Sequence, residues 1–295
     1  MIVSRWVPHH KDNSLLIGNY DGVHIGHQHL IRCAQKVNRN VTLLTFAPHP
    51  RLFFKKNFVG IQSFYDKLLF LKAYGVSCVY VIPFTTEIAR CSAKSFIDQF
   101  IAPLSPKAII VGSDFKFGHN REGDGQTLRQ YFDLIQPDDI TIGPDKVSST
   151  LCRRLLHEGH LEPIKQMMNR PFHVSGIVRH GQHLGRTLGY PTANLHAPEY
   201  PLSGIYAGTV ILPDRTRYYS AISVGHRPMA PVPHGMLEAH LLDYDGDLYG
   251  KRIHVIFHHK IRDQMKLEDF NALKIQMQID EHDIRSFFKK NANLS

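Results

Sequence analysis

Cysteine is scarce in this chain of 295 residues, which contains four cysteines and a single tryptophan. The cysteines are widely spaced and form no C-x-x-C pair; they stand at positions 33, 78, 91 and 152. This spacing excludes a disulfide framework and the common zinc-binding patterns. We therefore expect four reduced, structural thiols, as in a cytoplasmic protein.

Long apolar stretches are also absent. The longest apolar run, residues 76–84, is far too short to span a bilayer. Residues 1–13 include Arg5, Lys11 and two histidines but no apolar core, which does not fit a secretory signal peptide. We expect a cytoplasmic protein with no membrane partner.

Acidic residues are in the minority, because 26 Asp and Glu stand against 35 Lys and Arg, giving a formal net charge of +9. A basic chain favours anionic ligands. The charge is spread along the sequence and no nucleic-acid-binding motif is recognisable, so small phosphorylated molecules are the expected partners rather than nucleic acid. A hydrophobic content of 43% suits a globular core, and the length leaves room for two domains.

Strand-like and helix-like segments alternate before residue 160. The strand candidates are residues 15–17, 41–46, 76–82 and 108–111, and the helical candidates are 28–37, 62–74, 93–101 and 127–134. This alternation predicts an α/β domain over residues 1–160, with a parallel sheet covered by helices on both faces. Such sheets bind ligands at the carboxyl ends of their strands.

After residue 170 the pattern becomes hairpin-like. Gly, Pro and Asp turns separate the strand candidates 172–180, 205–212, 218–224, 236–244 and 253–259. Closely spaced antiparallel strands predict a small β-barrel, followed by a helix whose apolar residues between Phe270 and Phe288 lie near one face. We assign this second domain to residues 171–291.

The segment from Gly18 to His27 joins a predicted strand to a predicted helix. Its glycines allow close approach of the backbone to a ligand, and the helix start offers unpaired N–H groups to an anion. His24 and His27 lie on neighbouring faces of one helical turn, so both can point at the same phosphates. A tight turn with two surface histidines is the alternative, but the glycines and the strand–helix context favour a nucleotide site.

Three further loops contain residues suited to phosphate or aromatic ligands. His49 and Arg51, after a predicted strand, suit either a phosphate site or a rigid strand exit. Phe115 and Phe117, in the segment 111–118, suit either an aromatic ligand between them or the core. The hydroxyls at 148–150 with Arg153 suit either a phosphate site or an ordinary helix cap.

In the second half, repeated glycines and basic residues over 176–194 favour a phosphate loop over a plain barrel loop. Thr192 and Asn194 within it carry hard oxygen ligands suited to Mg²⁺. Glu238 and His240 alternate with leucines and project to one side of a predicted strand. A carboxylate on the inner side of a small barrel is costly unless it is used, so Glu238 is a candidate base and His240 a structural residue.

The chain resembles the bifunctional prokaryotic riboflavin kinase/FMN adenylyltransferases, also called FAD synthetases, from about residue 15 to 288. GNYDGVHIGH at 18–27 is similar to the nucleotidylyltransferase signature, and 148–150 with Arg153 is its distal partner. GYPTAN at 189–194, followed by EAHLLD at 238–243, is similar to the riboflavin kinase signature. The resemblance implies a Rossmann-like N-terminal domain with a parallel sheet, and a six-stranded antiparallel β-barrel with a terminal helix.

The resemblance also implies conversion of riboflavin to FMN and of FMN to FAD, each with ATP as co-substrate and Mg²⁺ as cofactor. Glu238 would accept the proton of a ribityl hydroxyl, and Thr192 and Asn194 would hold the metal. The groups that would neutralise charge on ATP during adenylyl transfer are His24, His27 and Arg153. Further ATP-binding residues are implied at Gly18, Asn19, Tyr20, Asp21, Gly22, Gly26, Ser148, Ser149, Thr150, Gly181, Gly185, Gly189 and Pro191. Flavin-binding residues are implied at Asp114, Phe115, Arg121 and Asp124.

Two alternatives stay open from the sequence. In the first, only one half is active and the other is a flavin-binding or regulatory module; it is motivated by departures from the family pattern at Leu52, Leu151, Met229, Ala230 and Gln264. In the second, the chain is a flavin-responsive regulator that binds nucleic acid. The intact set of Thr192, Asn194 and Glu238 argues against both. We expect a monomer or a weak homo-oligomer acting on small molecules.

Overall fold

The computed structural model describes residues 1–5, 12–55, 58–180, 190–196, 199–225 and 236–291. Its backbone divides into two compact units. The first consists of Met1–Val59 with Lys67–Ser149, and the second of Gly60–Asp66 with Thr150–Ser295. The domain limits predicted from the sequence, 1–160 and 171–291, stay a prediction beside this division.

In the N-terminal half, the strands between Ser14 and Ile110 are separated by helices, as the sequence predicts. The strands are β1 (Ile2–Ser4), β2 (Ser14–Ile17), β3 (Val41–Ala47), β4 (Cys78–Pro83), β5 (Ala108–Ile110), β6 (Lys116–Phe117), β7 (Gly123–Asp124), β8 (Leu134–Ile135), β9 (Thr141–Ile142) and β10 (Asp145–Lys146). The helices are α1 (Ile25–Val37), α2 (Pro50–Phe54), α3 (Phe64–Ala73), α4 (Thr86–Arg90), α5 (Ala93–Phe96), α6 (Gly125–Arg129) and α7 (Ser149–Glu158). A π-helical turn at Ile97–Ile101 continues α5.

Six strands of the described residues form one sheet in the order β1-β4-β3-β2-β5-β8. Every neighbouring pair in it is parallel. Leu15 and Leu16 are adjacent on β2 and point to opposite faces; Leu15 packs with Phe96 and Leu16 with Ile31, and all four are buried. Both faces of the sheet are therefore covered, which explains why its strands are continuously apolar rather than alternating.

The predicted strands of the parallel sheet are confirmed, but the helix predicted over residues 127–134 is wrong at its end. The helix α6 stops at Arg129, and Leu134 begins β8, which pairs with Ile109 and Ile110 of β5. The periodicity of a short apolar run fits a helix and a buried strand equally well. Here the run forms a strand because it can pair with the edge of β5. The edge strand β1 was not predicted.

The C-terminal half is built around a closed antiparallel barrel. Its elements are α8 (Leu161–Met168), β11 (His173–Arg179), β12 (Ala193–His196), β13 (Gly204–Ile211), β14 (Arg217–Gly225), β15 (Met236–Leu241), β16 (Arg252–Arg262) and α9 (Phe270–Lys290). Six strands of the described residues close in the order β11-β12-β15-β14-β13-β16. Ile222, Val255 and Phe257 are buried, and the residues beside them are more exposed. This alternation is typical of a small barrel filled by its own side chains.

The terminal helix α9 packs on the outside of this barrel. Ile284 and Phe288 form a buried cluster with Ala207 of β13 and Leu242. The ring of Phe288 stacks on Tyr219 of β14 with centroids 3.9 Å apart. The predicted fold class is thus confirmed. No helix within the described ranges combines the length and the apolar character that crossing a bilayer requires.

Candidate active sites

The Gly18–His27 segment lies at a point where the order of the parallel strands reverses. From β2, the chain first adds β3 and β4 on one side and later adds β5 and β8 on the other. In open α/β sheets this reversal leaves a crevice at the carboxyl ends of the two central strands, where ligands bind. Residues 18–24 follow β2 directly, and Gly112 to Phe115 follow β5. The topology therefore places two predicted motifs at this crevice.

The loop after β2 is held in an unusual backbone conformation. Tyr20 has φ 51°, Gly22 φ 88° and Val23 φ 40°. Glycine adopts positive φ readily, whereas a β-branched residue such as Val23 is strained there, by about 1–3 kcal/mol. Val23 is fully buried, so packing holds the strained turn in place. Strain of this kind concentrates at sites where the backbone must meet a ligand.

The first turn of α1 is capped by a histidine. The Nδ1 atom of His24 accepts the backbone N–H of His27 at 3.4 Å. With Nδ1 as acceptor, a neutral His24 has its proton on Nε2, which lies 3.4 Å from the Ser149 hydroxyl oxygen. Ser149 in turn donates to the backbone carbonyl of Asp21 at 2.8 Å. A Cβ atom at Gly26 would lie 3.2 Å from the His24 ring, so glycine leaves the imidazole its space.

The two histidines of the motif lie side by side, as their spacing predicts. The rings of His24 and His27 are stacked with centroids 3.7 Å apart, and Tyr20 stacks on the other face of His27 at 4.5 Å. Burial raises the pKa of the Tyr20 phenol far above its ordinary value, which keeps it neutral. The loop thus presents two imidazoles at the N-terminus of a long helix, where anions are stabilised.

The distal motif begins helix α7. Ser149 contacts His24 and Asp21 as described above, so the structure brings these predicted residues together. Ser148 precedes the helix, Thr150 follows in its first turn, and Arg153 comes four residues after Ser149. Residues four apart share a helix face. Arg153 therefore lies on the face of α7 that begins with Ser149.

A buried lysine that was not predicted as a site residue lies beside this loop. Lys67 on α3 is 7% exposed, and its Nζ donates to the backbone carbonyl of Asn19 at 3.2 Å and to Thr45 Oγ1 at 3.3 Å. Burial lowers the pKa of Lys67 to about 8, and the Asp21 carboxylate acts in the opposite direction. In the sequence, the burial of Lys67 is indicated by its position among the apolar residues of α3.

The predicted flavin-binding residues lie in two places. Asp114 and Phe115 follow β5; Asp114 is exposed, 3.6 Å from Lys146, and Phe115 stacks on Phe117 at 5.5 Å. Arg121 is exposed in the turn between β6 and β7.

Asp124 has a clear structural function. It caps α6 by accepting the Thr127 N–H and forms a 3.0 Å ion pair with Lys116. The hydrogen bonds from Lys116 and from the Thr127 backbone lower the pKa of Asp124 to about 2.

Exposed aromatic side chains lie at the same edge of the sheet. Phe53 and Phe54 on α2, which follows β3, pack edge-to-face on each other and on Phe84, which follows β4. Phe54 is 67% exposed. His49, in the loop that the sequence marked, accepts the Arg51 N–H and caps α2. Phe53 and Phe54 were not predicted as site residues, although the sequence shows them as two consecutive phenylalanines after a proline-rich strand exit.

In the barrel, the predicted kinase residues form a row across three strands. Glu238 of β15 pairs in register with Asn194 of β12 on one side and with Ser223 of β14 on the other. Directly paired residues on neighbouring antiparallel strands have Cβ atoms about 4.5–5.5 Å apart. An amide, a carboxylate and a hydroxyl therefore share one surface of the barrel.

The expectation that Glu238 lies on the inner side of the barrel is wrong. Leu237, Ala239 and Leu241 are buried, while Glu238 and His240 are half-buried on the opposite face. The apolar residues fill the interior because a dry core favours them, so the carboxylate is left on the outer face. The predicted common side of Glu238 and His240 is correct.

Asn194 and Thr192 have the oxygens that a metal site needs. The Asn194 side-chain N–H donates to Thr192 Oγ1 at 3.4 Å. The buried Oδ1 of Asn194 has no hydrogen-bond partner among the residues that the structure describes. An unsatisfied buried oxygen beside a hydroxyl fits a hard cation such as Mg²⁺.

The segment before Thr192 is fixed by His240, whose Nδ1 lies 2.8 Å from the Pro191 carbonyl. The structural function predicted for His240 agrees with this contact. The remaining predicted phosphate-loop residues, Gly181, Gly185 and Gly189, lie outside the described residues, as do Met229 and Ala230.

Comparison with known proteins reveals relatives along nearly the whole chain. A family model described as FAD synthetase matches residues 7–151, and one described as riboflavin kinase matches residues 168–288. The bifunctional riboflavin kinase/FMN adenylyltransferase of Haemophilus influenzae is 34% identical over 289 residues, covering 93% of this chain and 94% of that protein. The Escherichia coli K12 protein of the same name is 35% identical, covering 93% of this chain and 92% of its own length.

A solved structure is similar over the same extent. A Streptococcus pneumoniae protein, named as a macrolide-efflux protein, superposes with a TM-score of 0.82 at 28% identity, over 96% of this chain and 98% of that one. The two family models match one half of the chain each, and the sequence relatives extend over both. The chain therefore belongs to the family of bifunctional riboflavin kinase/FMN adenylyltransferases.

Proposed function

We propose that the chain makes FMN from riboflavin at its barrel and FAD from FMN at the crevice of its parallel sheet, using ATP for both reactions. The observation that carries the proposal is the stacked pair His24 and His27 at the start of α1, on a strained loop at the strand reversal. Phosphate groups are favoured there by the helix N-terminus, the backbone N–H groups and the imidazoles together.

In adenylyl transfer the FMN phosphate attacks the α-phosphorus of ATP and pyrophosphate leaves, so both reactants are already anionic. The FMN phosphate is ionised at neutral pH, so the nucleophile needs no base, and the main task is to neutralise charge that grows at the α-phosphorus of ATP. We assign this task to His24, His27 and Arg153. The loop residues 18–22 and 148–150, with Gly26 in α1, would contact the ATP.

Phosphorylation of riboflavin starts from a neutral hydroxyl, which must lose its proton. Glu238 is the carboxylate that the barrel offers beside Asn194 and Ser223, and we assign it as the base. A positioned base contributes about 10²–10⁴ in rate. Asn194 and Thr192 would hold Mg²⁺, which when bound supplies charge neutralisation for the ATP phosphates. We assign Pro191 and the glycines at 181, 185 and 189 to the surrounding ATP loop.

The exposed aromatic residues at the sheet edge suit the flavin ring of FMN. Phe54 and Phe84 follow β3 and β4 at the carboxyl edge of the sheet, and planar aromatic ligands pack on such rings. Asp114, Phe115, Arg121 and Asp124 stay predicted flavin contacts. Of these, Asp124 already caps α6, so its side chain would act mainly by holding that loop.

The experiment that tests the proposal is a direct flavin analysis. The purified chain is incubated with riboflavin, ATP and Mg²⁺, and the flavins are separated by chromatography over time. We expect FMN to appear first and FAD to follow, and FMN supplied with ATP should give FAD alone. Riboflavin that stays unchanged, while supplied FMN is converted, would show that the barrel is not an active kinase.

A further inference from the structure

Lys67 is a buried ammonium group beside the nucleotide loop, and the chemistry proposed above does not use it. It is 7% exposed, and its Nζ donates to the carbonyl of Asn19, in the loop after β2, and to Thr45 Oγ1 on β3. Thr45 is itself fully buried. Burying a charged amine is unfavourable unless its hydrogens bond to well-placed acceptors. Both acceptors belong to the elements that form the crevice.

A hydrogen bond to the Asn19 carbonyl can fix the conformation of the nucleotide loop. Asn19 directly precedes Tyr20, which has φ 51°, and the turn continues to Val23 and the His24 cap. A strained turn persists only where its surroundings hold it. In addition, the buried Oδ1 atom of Asn19 has no hydrogen-bond partner among the described residues, so an acceptor is left beside the crevice.

We propose that Lys67 is a positioning residue for adenylyl transfer, which ties the Asn19 carbonyl to Thr45 of β3 and thereby fixes the loop that receives ATP. The proposal rests on the adenylyl-transfer function proposed above. The Lys67 Nζ already donates to Asn19 and Thr45, so its effect on ATP is exerted through Asn19. Burial lowers the pKa of Lys67 and the Asp21 carboxylate opposes this, with a net value of about 8, so the group is mainly protonated at pH 7.

The test compares Lys67→Met with Lys72→Met, an exposed lysine on the same helix α3. Each full-length variant is assayed twice, for FAD formation from FMN and for FMN formation from riboflavin, and KM for ATP is measured in both reactions. We expect Lys67→Met to lower kcat/KM for ATP in FAD formation by about 10- to 100-fold, as for a misplaced reactant. KM for FMN and KM for ATP in the kinase reaction should not change.

The kinase reaction separates a local effect from misfolding. A kcat/KM for ATP in FAD formation that is within about twofold of the same value in Lys72→Met would overturn the assignment of Lys67. If Lys67→Met loses both activities through misfolding, the Thr45→Val variant tests the proposal instead. This substitution removes the hydroxyl that accepts a hydrogen bond from Lys67 and keeps the volume of the side chain. We expect Thr45→Val to weaken FAD formation selectively, and unchanged FAD formation would overturn the assignment. Absence of FAD formation by the unmodified chain would contradict the proposed function instead.

Discussion

Asn194 and Glu238 occupy directly paired positions on the neighbouring barrel strands β12 and β15. Both side chains lie on the more exposed face of the barrel, so the proposed metal ligand and the proposed base can meet the same substrate. In the other unit, His24 and His27 stack at a helix N-terminus that carries no acidic residue in its first turn. The chain thus pairs a site suited to removing a proton with one suited to binding anions.

Glu238→Gln keeps the size of the side chain and removes its basicity. We expect FMN formation from riboflavin to fall by about 10²–10⁴ while FAD formation from supplied FMN is retained. Glu268→Gln, at an exposed position, serves as the matched control. Both reactions are followed by chromatography. Equal loss of both activities in a folded Glu238→Gln protein would contradict the assignment.

His24→Ala and His27→Ala remove the stacked imidazoles. Each should slow FAD formation by about 10²–10³, the range for one lost charge-stabilising donor, so that FMN accumulates from riboflavin. His24→Ala also removes the cap of α1 and should lower the free energy of unfolding by about 1 kcal/mol. His29→Ala, on the same helix, is the control. Undiminished FAD synthesis in the double variant would exclude the site.

Phe54→Ala tests the aromatic cluster. Because this side chain is 67% exposed, its removal should leave the melting temperature unchanged. We expect an increase in KM for FMN of about 3- to 10-fold, as for loss of one stacking contact of about 1 kcal/mol. KM for ATP should stay the same. Phe270→Ala, 61% exposed on α9, is a matched control. No difference between the two variants would exclude Phe54 from FMN binding.

The terminal helix is anchored by a buried ion pair. Asp280 on α9 is 5% exposed and accepts two hydrogen bonds of 2.7 Å from Arg262 of β16. Asp280→Ala leaves the guanidinium without its partner and should lower the free energy of unfolding by about 3–5 kcal/mol. Asp283→Ala, exposed on the same helix, should change it little. Urea unfolding measures both, and equal values would contradict the anchoring function.

The barrel should lose stability in acid through His258. Its Nε2 lies 3.0 Å from Thr209 Oγ1, and burial, together with Lys165 and Arg217, lowers its pKa to about 4. The unfolded chain binds a proton near pH 6.5 and the folded chain only near pH 4. The contribution of neutral His258 to the free energy of unfolding is therefore fully present above about pH 6.5 and decreases as the pH falls towards 4. Urea unfolding of His258→Gln across this range should show a weaker decrease than His259→Gln; equal decreases would contradict this.

The main sheet strands and most of the barrel could be predicted from the sequence because their residues have a strong local pattern. Apolar runs predicted the strands β2 to β5, and turns rich in Gly, Pro and Asp predicted the hairpins of the barrel. The two-residue strand β8 was missed because its identity depends on pairing with β5 rather than on its own periodicity.

The candidate site residues could be predicted where they lie together in a short sequence motif. His24 and His27, or Thr192 and Asn194, are close in sequence and therefore close in space. Alternation placed Glu238 and His240 on one side of β15 but could not tell which side faces the interior. Lys67 was missed because it meets Asn19 and Thr45 through tertiary packing, and a lysine on a helix is usually solvated.

A mixing experiment tests the central claim, that one chain holds two independent ATP-dependent sites. Glu238→Gln and the His24→Ala/His27→Ala double variant are each given riboflavin, ATP and Mg²⁺, alone and together. We predict that neither protein alone makes appreciable FAD and that the mixture does, because FMN released by one is used by the other. FAD from either variant alone at the wild-type rate, or no FAD from a mixture of two folded proteins, would contradict the claim.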